Sequence, residues 1–187
     1  SINILLVEDN PGDARLVREL LMEGGGKQFV LLTADRLESA LAVLEKRDVT
    51  AILLDLQLPD SAGLETLHTI HAAALGVPIV VLSNLADESL AVKSVQHGAQ
   101  DFLVKDHVNS HLLMRSLRYA IERKRMEKSL NHLAHHDSLT GLANRKHFYD
   151  CLKNAIALAR RQGGQLALLL LDLNYFKHIN DTLGHHA

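Results

Sequence analysis

The chain has 187 residues, 47% of them hydrophobic and 22% charged, and its 20 basic and 22 acidic side chains leave a net charge of −2. This composition excludes a disordered, collagen-like or low-complexity chain, and the near balance of charge gives no global positive field to draw in nucleic acid or an anionic membrane. Length allows one ordinary domain and part of a second. The lone cysteine, Cys151, excludes an internal disulfide framework and fits a reducing cytoplasm, and no apolar run reaches the ~18 residues that cross a bilayer.

In chain order, short and nearly continuous apolar runs at 2–7, 29–32, 51–54, 77–82 and 102–104 each precede a segment with helical spacing. Residues Leu16, Val17, Leu20 and Leu21 make one helical stripe and Leu37, Ala40, Leu41 and Leu44 another, with 63–74, 86–97 and 108 onward supplying three more. Unbroken apolar strands followed by helices are the mark of a parallel sheet covered on both faces. Strand starts lie roughly 22 to 27 residues apart, the length a right-handed crossover needs. The prediction is an α/β fold, a doubly wound five-stranded parallel sheet whose ligands gather at the carboxyl ends of its strands.

The fifth helix is predicted to be long, because no Gly or Pro occurs from Val108 to His136. Along it Leu112, Tyr119, Met126 and Leu133 recur every seven residues, with Leu130 beside the last, while Ser116 and Arg123 interrupt the seam. Dimerisation through this helix is one reading, and a solvated linker face over the charged stretch 122–128 is the other. His132, His135 and His136 near its end read as a solvated helix end rather than a zinc site, with no paired cysteine or carboxylate motif nearby. Past Asp137 come a glycine turn, a helix around 145–161, a Gly163-Gly164 break and an apolar run at 166–171 that reads as a strand. The domain boundaries follow: 1–125, a helical linker at 108–136 that continues the last helix, and the start of an α+β domain at 137–187.

The chemistry-bearing residues fall at the predicted strand ends: Glu8 and Asp9 after the first, Asp55 after the third, Ser83 after the fourth and Lys105 after the fifth. Three carboxylates crowded at a partly buried rim repel one another, and a hard divalent cation such as magnesium relieves them. A phosphoryl group can then be accepted by the Asp55 carboxylate, with Lys105 neutralising developing charge and the Ser83 hydroxyl binding a phosphoryl oxygen. Taken singly, Asp and Ser at strand ends are more often caps or turn formers; the ordered set carries the argument.

The runs Leu5-Leu6-Val7-Glu8-Asp9-Asn10, Leu53-Leu54-Asp55-Leu56-Gln57-Leu58-Pro59-Asp60 and Asp101-Phe102-Leu103-Val104-Lys105 resemble the receiver domain of bacterial two-component response regulators, over about residues 1 to 125. That resemblance implies a flavodoxin-like fold, Asp55 as phospho-acceptor, and a magnesium ion held by Asp9 and Asp55, by Glu8 through water and by the Gln57 backbone carbonyl. It implies Ser83 and Phe102 as the switch pair, Lys105 as the catalytic lysine, a sensor histidine kinase as phosphodonor and a homodimer. One departure stands out: Asp106 follows Lys105 where the family usually has proline after a cis bond. A non-proline cis peptide costs about 3 kcal/mol, so the geometry of this loop is open.

A second pair of motifs, Asp137-Ser138-Leu139-Thr140-Gly141-Leu142-Ala143-Asn144-Arg145 and Leu171-Asp172-Leu173-Asn174-Tyr175-Phe176-Lys177-His178-Ile179-Asn180-Asp181, resembles the start of a diguanylate cyclase (GGDEF) domain. Such a domain, when complete, joins two GTP molecules into cyclic di-GMP. The resemblance implies Asp172 and the Leu173 carbonyl as metal ligands, Phe176 and Lys177 near the phosphates, and Asn180 at the guanine edge. The bland alternatives are a helix cap for Asp172, a solvated lysine for Lys177 and a helix-end amide for Asn180. Asn174 stands where many relatives carry a second aspartate, and the sequence reaches Ala187 before any Gly-Gly-Asp/Glu-Glu-Phe hairpin. The expectation is therefore a phosphorylation-dependent response regulator controlling a cyclase output whose site is incomplete, and hence inactive, in these 187 residues. The alternative is a phospho-dependent interaction module with a non-catalytic GGDEF-like effector. Both readings involve no nucleic acid and no membrane.

Overall fold

The structure, a computed structural model, describes residues 2–25, 28–84, 87–172 and 174–175. It divides into two units, Ser1–His132 and Leu133–Ala187.

In the first unit β1 (Ile2–Val7), β2 (Phe29–Ala34), β3 (Ala51–Asp55), β4 (Ile79–Ser83) and β5 (Asp101–Val104) alternate with α1 (Pro11–Gly25), α2 (Leu37–Lys46), α3 (Leu64–Ala73), α4 (Glu88–Gln96) and α5 (Ser110–His135). The strands form one parallel sheet in the order β2-β1-β3-β4-β5, with Val7 beside Leu54, Asp55 beside Leu82 and Ser83 beside Val104. Order reverses between β1 and β3, which opens a crevice at their carboxyl ends.

Side chains alternate across the sheet with the strand period of two. Leu5, Val7, Ile52, Leu54, Ile79 and Val81 point to one face and pack with Ala40 of α2 and Leu67 and Ile70 of α3. On the other face Ile4, Leu6, Leu53, Val80, Leu82 and Leu103 pack with Val17 and Leu21 of α1 and Leu113, Leu117, Ala120 and Ile121 of α5. Each fully buried Leu or Ile of these strands contributes about 1.5–3 kcal/mol, which pins the register and with it the residues just past each strand. Gly24 lets α1 approach α5: a Cβ there would lie 2.5 Å from Met114 Cγ and 2.6 Å from Ser110 Oγ.

The predicted fourth strand at 77–82 begins two residues later, at Ile79, because Pro78 has no N–H to give a ladder. Its carbonyl still accepts a hydrogen bond from Ile52 N at 2.9 Å. Two short strands missed in the sequence, Gln57–Leu58 and Ser61–Ala62, form an antiparallel ribbon just after β3.

In the second unit Asp137 anchors a tight turn by accepting hydrogen bonds from Leu139 N, Thr140 N and Thr140 Oγ1. Helix α6 (Arg145–Gln162) starts at Asn144, whose side chain accepts from His147 N, and stops at the left-handed Gly163. The apolar run at 166–171 is not a strand: residues 164–172 carry no regular structure, and Leu168, Leu169, Leu170 and Leu171 are exposed. A strand exists only through its ladder partners, and the described residues of this unit offer it none.

Candidate functional site

The rim of the sheet is built by chain direction. β1 delivers Glu8 and Asp9, β3 ends on Asp55, β4 on Ser83, and Lys105 follows β5. Glu8, Asp55, Ser83 and Lys105 are buried, while Asp9 is exposed. Carboxylate oxygens of Glu8, Asp9 and Asp55 all lie within 4.8 Å of one another, the one cluster of metal-ligating groups among the described residues.

The compensating charge in this structure is Lys105. Its Nζ lies 2.6 Å from Asp55 Oδ2, 2.6 Å from Glu8 Oε2 and 2.8 Å from Asp13 Oδ2. Burial alone would lower the lysine pKa, but hydrogen bonds to Asp13, then Asp55 and Glu8, raise it overall, so Lys105 stays charged. Glu8 has its pKa raised by burial, assisted by the charge of Asp55 and opposed by Lys105. Around the pair the backbone supplies further donors: Gln57 N donates to Asp55 Oδ1 at 2.8 Å and Asn10 N to Glu8 Oε1 at 3.1 Å. Gln57 itself is exposed, on the ribbon after β3.

The loop after Lys105 is a single 3-10 turn over Lys105–His107, and no peptide bond among the described residues is cis. Asp106 therefore occupies its position with an ordinary trans bond. Phe102 is half-buried and packs against the α2–α3 face of the core. Its backbone N–H donates to Asp101 Oδ1 at 2.8 Å, and Asp101 Oδ2 in turn accepts from Ser116 Oγ at 2.6 Å.

Asp13 was absent from the sequence reading. It lies in the first turn of α1, where an acid is ordinarily read as a partner of the helix dipole. The available signal was its place four residues after Asp9, in a helix that begins at the rim. Among the cyclase-like residues Asp172 is exposed, and Leu173, Phe176, Lys177 and Asn180 lie outside the described residues. His135 and His136 stack edge-on against His147 at 5.0 and 5.7 Å, with Cys151 Sγ 3.7 Å from His147 Nε2. These side chains do not bring three donor atoms within 4.8 Å, so their arrangement is one of ring packing.

Residues 4–118 match the family model of the response regulator receiver domain, and residues 134–187 match that of the diguanylate cyclase, GGDEF domain. The cell cycle transcriptional regulator CtrA of Caulobacter vibrioides is 32% identical over 114 residues, 61% of this chain and 48% of that protein. The diguanylate cyclase DgcM of Escherichia coli is 45% identical over 64 residues, 34% of this chain and 16% of that protein. The chain thus spans about half, or less, of the curated relatives it matches. Among solved structures, the receiver domain of a sensor histidine kinase from Pseudomonas aeruginosa, with a magnesium ion coordinated in its active-site cleft, superposes with a TM-score of 0.57 at 28% identity. It covers 65% of this chain and 98% of that one.

Proposed function

The chain belongs to the response regulator receiver family, and from that premise we propose that it accepts a phosphoryl group on Asp55 from a sensor histidine kinase and passes the change to a diguanylate cyclase output. The observation that carries this reading is the meeting of Lys105 Nζ with Asp55 Oδ2 at 2.6 Å, beside an acidic cluster that contains the same aspartate. An ordinary buried ion pair needs one carboxylate; here the lysine serves three.

Magnesium fits the donor set. Hard carboxylate oxygens of Glu8, Asp9 and Asp55 are already gathered, and the exposed Asp9 leaves room for the waters that this ion keeps. Those three residues and the Gln57 carbonyl would hold it, and when bound it would neutralise phosphoryl oxygens as a Lewis acid. Asp55 supplies the nucleophile: a carboxylate oxygen forms the O–P bond as the P–N bond of a phosphohistidine breaks, and the imidazole keeps the electron pair and takes a proton from solvent. Lys105 balances the charge that builds on the phosphoryl oxygens. Ser83, one residue past the partner of Asp55 across the sheet, offers a hydroxyl to the same group, and Phe102 on the neighbouring strand repacks with it.

In this reading residues 1–125 are the receiver, 108–136 the signalling helix and 137–187 the first part of the GGDEF domain, whose substrate is GTP. Dimerisation is supported by the exposed Tyr119, Met126 and Leu130 along α5. No described helix is long and apolar enough to cross a membrane, and the reaction is assigned to the cytoplasm, where the kinase's phosphohistidine and GTP are available. The test is intact-mass measurement after incubation with acetyl phosphate and magnesium. One phosphoryl adduct is expected, lost in Asp55→Asn; no adduct, or one that survives the substitution, overturns the reading.

A further inference from the structure

Lys105 Nζ donates hydrogen bonds to Asp55 Oδ2 at 2.6 Å and Asp13 Oδ2 at 2.8 Å, and it stands 2.6 Å from Glu8 Oε2 as an ion pair, so three carboxylates share one ammonium. Two of these belong to the cluster able to hold a cation. Asp13 does not; its carboxylate is absent from the group gathered within 4.8 Å. It enters from α1, its side chain is 26% exposed, and its 2.8 Å contact with Lys105 is what ties it to the rim. The Lys105 side chain is only 6% exposed, and it lines a small cavity together with Asp13, Leu16, Val17, Leu82 and Val108.

We infer that Asp13 is a positioning residue that limits how readily Asp55 is phosphorylated, by holding part of the Lys105 charge and adding its own negative charge to the rim. The inference rests on the phosphorylation proposed above. A phosphodonor reaches the rim as an anion, and its oxygens must compete with these carboxylates for the Lys105 ammonium. With Asp13 present, four carboxylates and one ammonium give the rim a formal charge of −3; without it the charge is −2. Both effects act in one direction. Removing Asp13 weakens the repulsion of the incoming dianion and leaves Lys105 one competitor fewer, at a site whose partial burial limits screening by salt.

The experiment measures the rate at which the phosphoryl adduct appears on the full chain with acetyl phosphate at saturating magnesium, pH 7. Asp13→Asn keeps the size and a hydrogen-bond acceptor while removing the charge, and is expected to phosphorylate ~3- to 10-fold faster. Asp13→Ser, which removes the charge by a different side chain, gives the same direction. Asp13→Glu restores the wild-type rate, which a merely structural defect would not do. The lost negative charge also weakens attraction of the cation, so the magnesium concentration for half-maximal rate rises modestly in Asp13→Asn and rates are compared at saturation. A wild type that forms adduct while both charge-removing variants are no faster overturns the inference and leaves Asp55 as acceptor. A wild type that forms none removes both.

Discussion

Replacing Lys105 with methionine isolates the electrostatics of the rim. Methionine preserves most of the aliphatic length of the buried lysine stem, so the main loss is the ammonium. That ammonium sits 2.6–2.8 Å from three carboxylates, with a side chain only 6% exposed. Removing one partner from a buried charge cluster costs about 3–5 kcal/mol, because the remaining charges are left without compensation. For a domain of this size that is a fall in melting temperature of roughly 10–20 °C. The sign with pH is specific. Lys105 has a raised pKa, so its stabilisation is fully present below its unfolded value of 10.5 and lost only as pH rises through the higher folded value; between pH 5 and 8 it is constant. Glu8 already has a raised pKa, and in Lys105→Met it loses the neighbour that opposes that rise. A buried acid of this kind destabilises at high pH and is relieved as pH falls through its folded pKa. The gap between wild type and variant, followed by circular dichroism melts, is therefore widest at pH 8 and narrows toward pH 5. If the proposed magnesium site is right, added magnesium is expected to raise the variant's melting temperature by binding its folded form. Equal melting temperatures at pH 8, or a gap that widens in acid, would refute the account of the rim.

Two further substitutions probe the scaffold around it. Asp60 accepts hydrogen bonds from Leu37 N at 2.8 Å and Glu38 N at 3.0 Å, capping α2 from the loop after β3, and the hydrogen bonds from Glu38 and Leu37 lower its pKa. Its stabilisation is present above the unfolded value of 3.8 and lost as pH falls through the lower folded value, so Asp60→Ala melts below wild type at pH 7 and converges with it in stronger acid; a difference that does not shrink as the pH is lowered contradicts this. Ser116→Ala removes the 2.6 Å hydrogen bond to Asp101, the residue that also fixes the Phe102 amide. Urea denaturation should show a loss of about 1–3 kcal/mol, and a loss under ~0.5 kcal/mol would mean that water replaces the serine without penalty.

The sheet was legible because its strands are buried on both faces, so 2–7, 51–54 and 77–82 read as unbroken apolar runs at crossover spacing. Once those strands are aligned, Glu8, Asp9, Asp55, Ser83 and Lys105 reach one rim by chain direction alone. What stayed hidden depends on contacts through space. Crowded carboxylates point to a cation, which composition suggests as a metal ion, whereas in the structure Lys105 of the same chain stands against Glu8, Asp13 and Asp55. Which acids that lysine reaches depends on where α1 lies against the sheet, and sequence period does not give that position. The run at 166–171 fails for the opposite reason: its apolar residues satisfy the local pattern of a strand, but a ladder needs a second strand, and hydrophobicity alone does not provide one.

The long helix shows how local and tertiary contributions divide within one element. Every buried residue of α5 lies between Leu113 and Ile121, so the fourteen residues from Glu122 to His135 have no buried side chain. Their helicity has two sources. The packed first half supplies the costly nucleus, after which each added residue needs only one more hydrogen bond. Ion pairs Arg125–Glu122 at 2.8 Å, Lys124–Glu127 at 3.0 Å and Arg123–Glu127 at 3.7 Å then add about 0.2–0.5 kcal/mol each. Such pairs stabilise a helix without saying what it packs against, and so they explain the solvated-face reading of 122–128. They do not explain Met126, Leu130 and Leu133, which are 60–66% exposed at spacings of four and three residues. A solvated linker has no need of an apolar stripe, whereas a helix paired with its copy in the proposed dimer does. The charged and apolar faces thus do different things: the first keeps the helix formed when it stands alone, and the second sets what it can pair with.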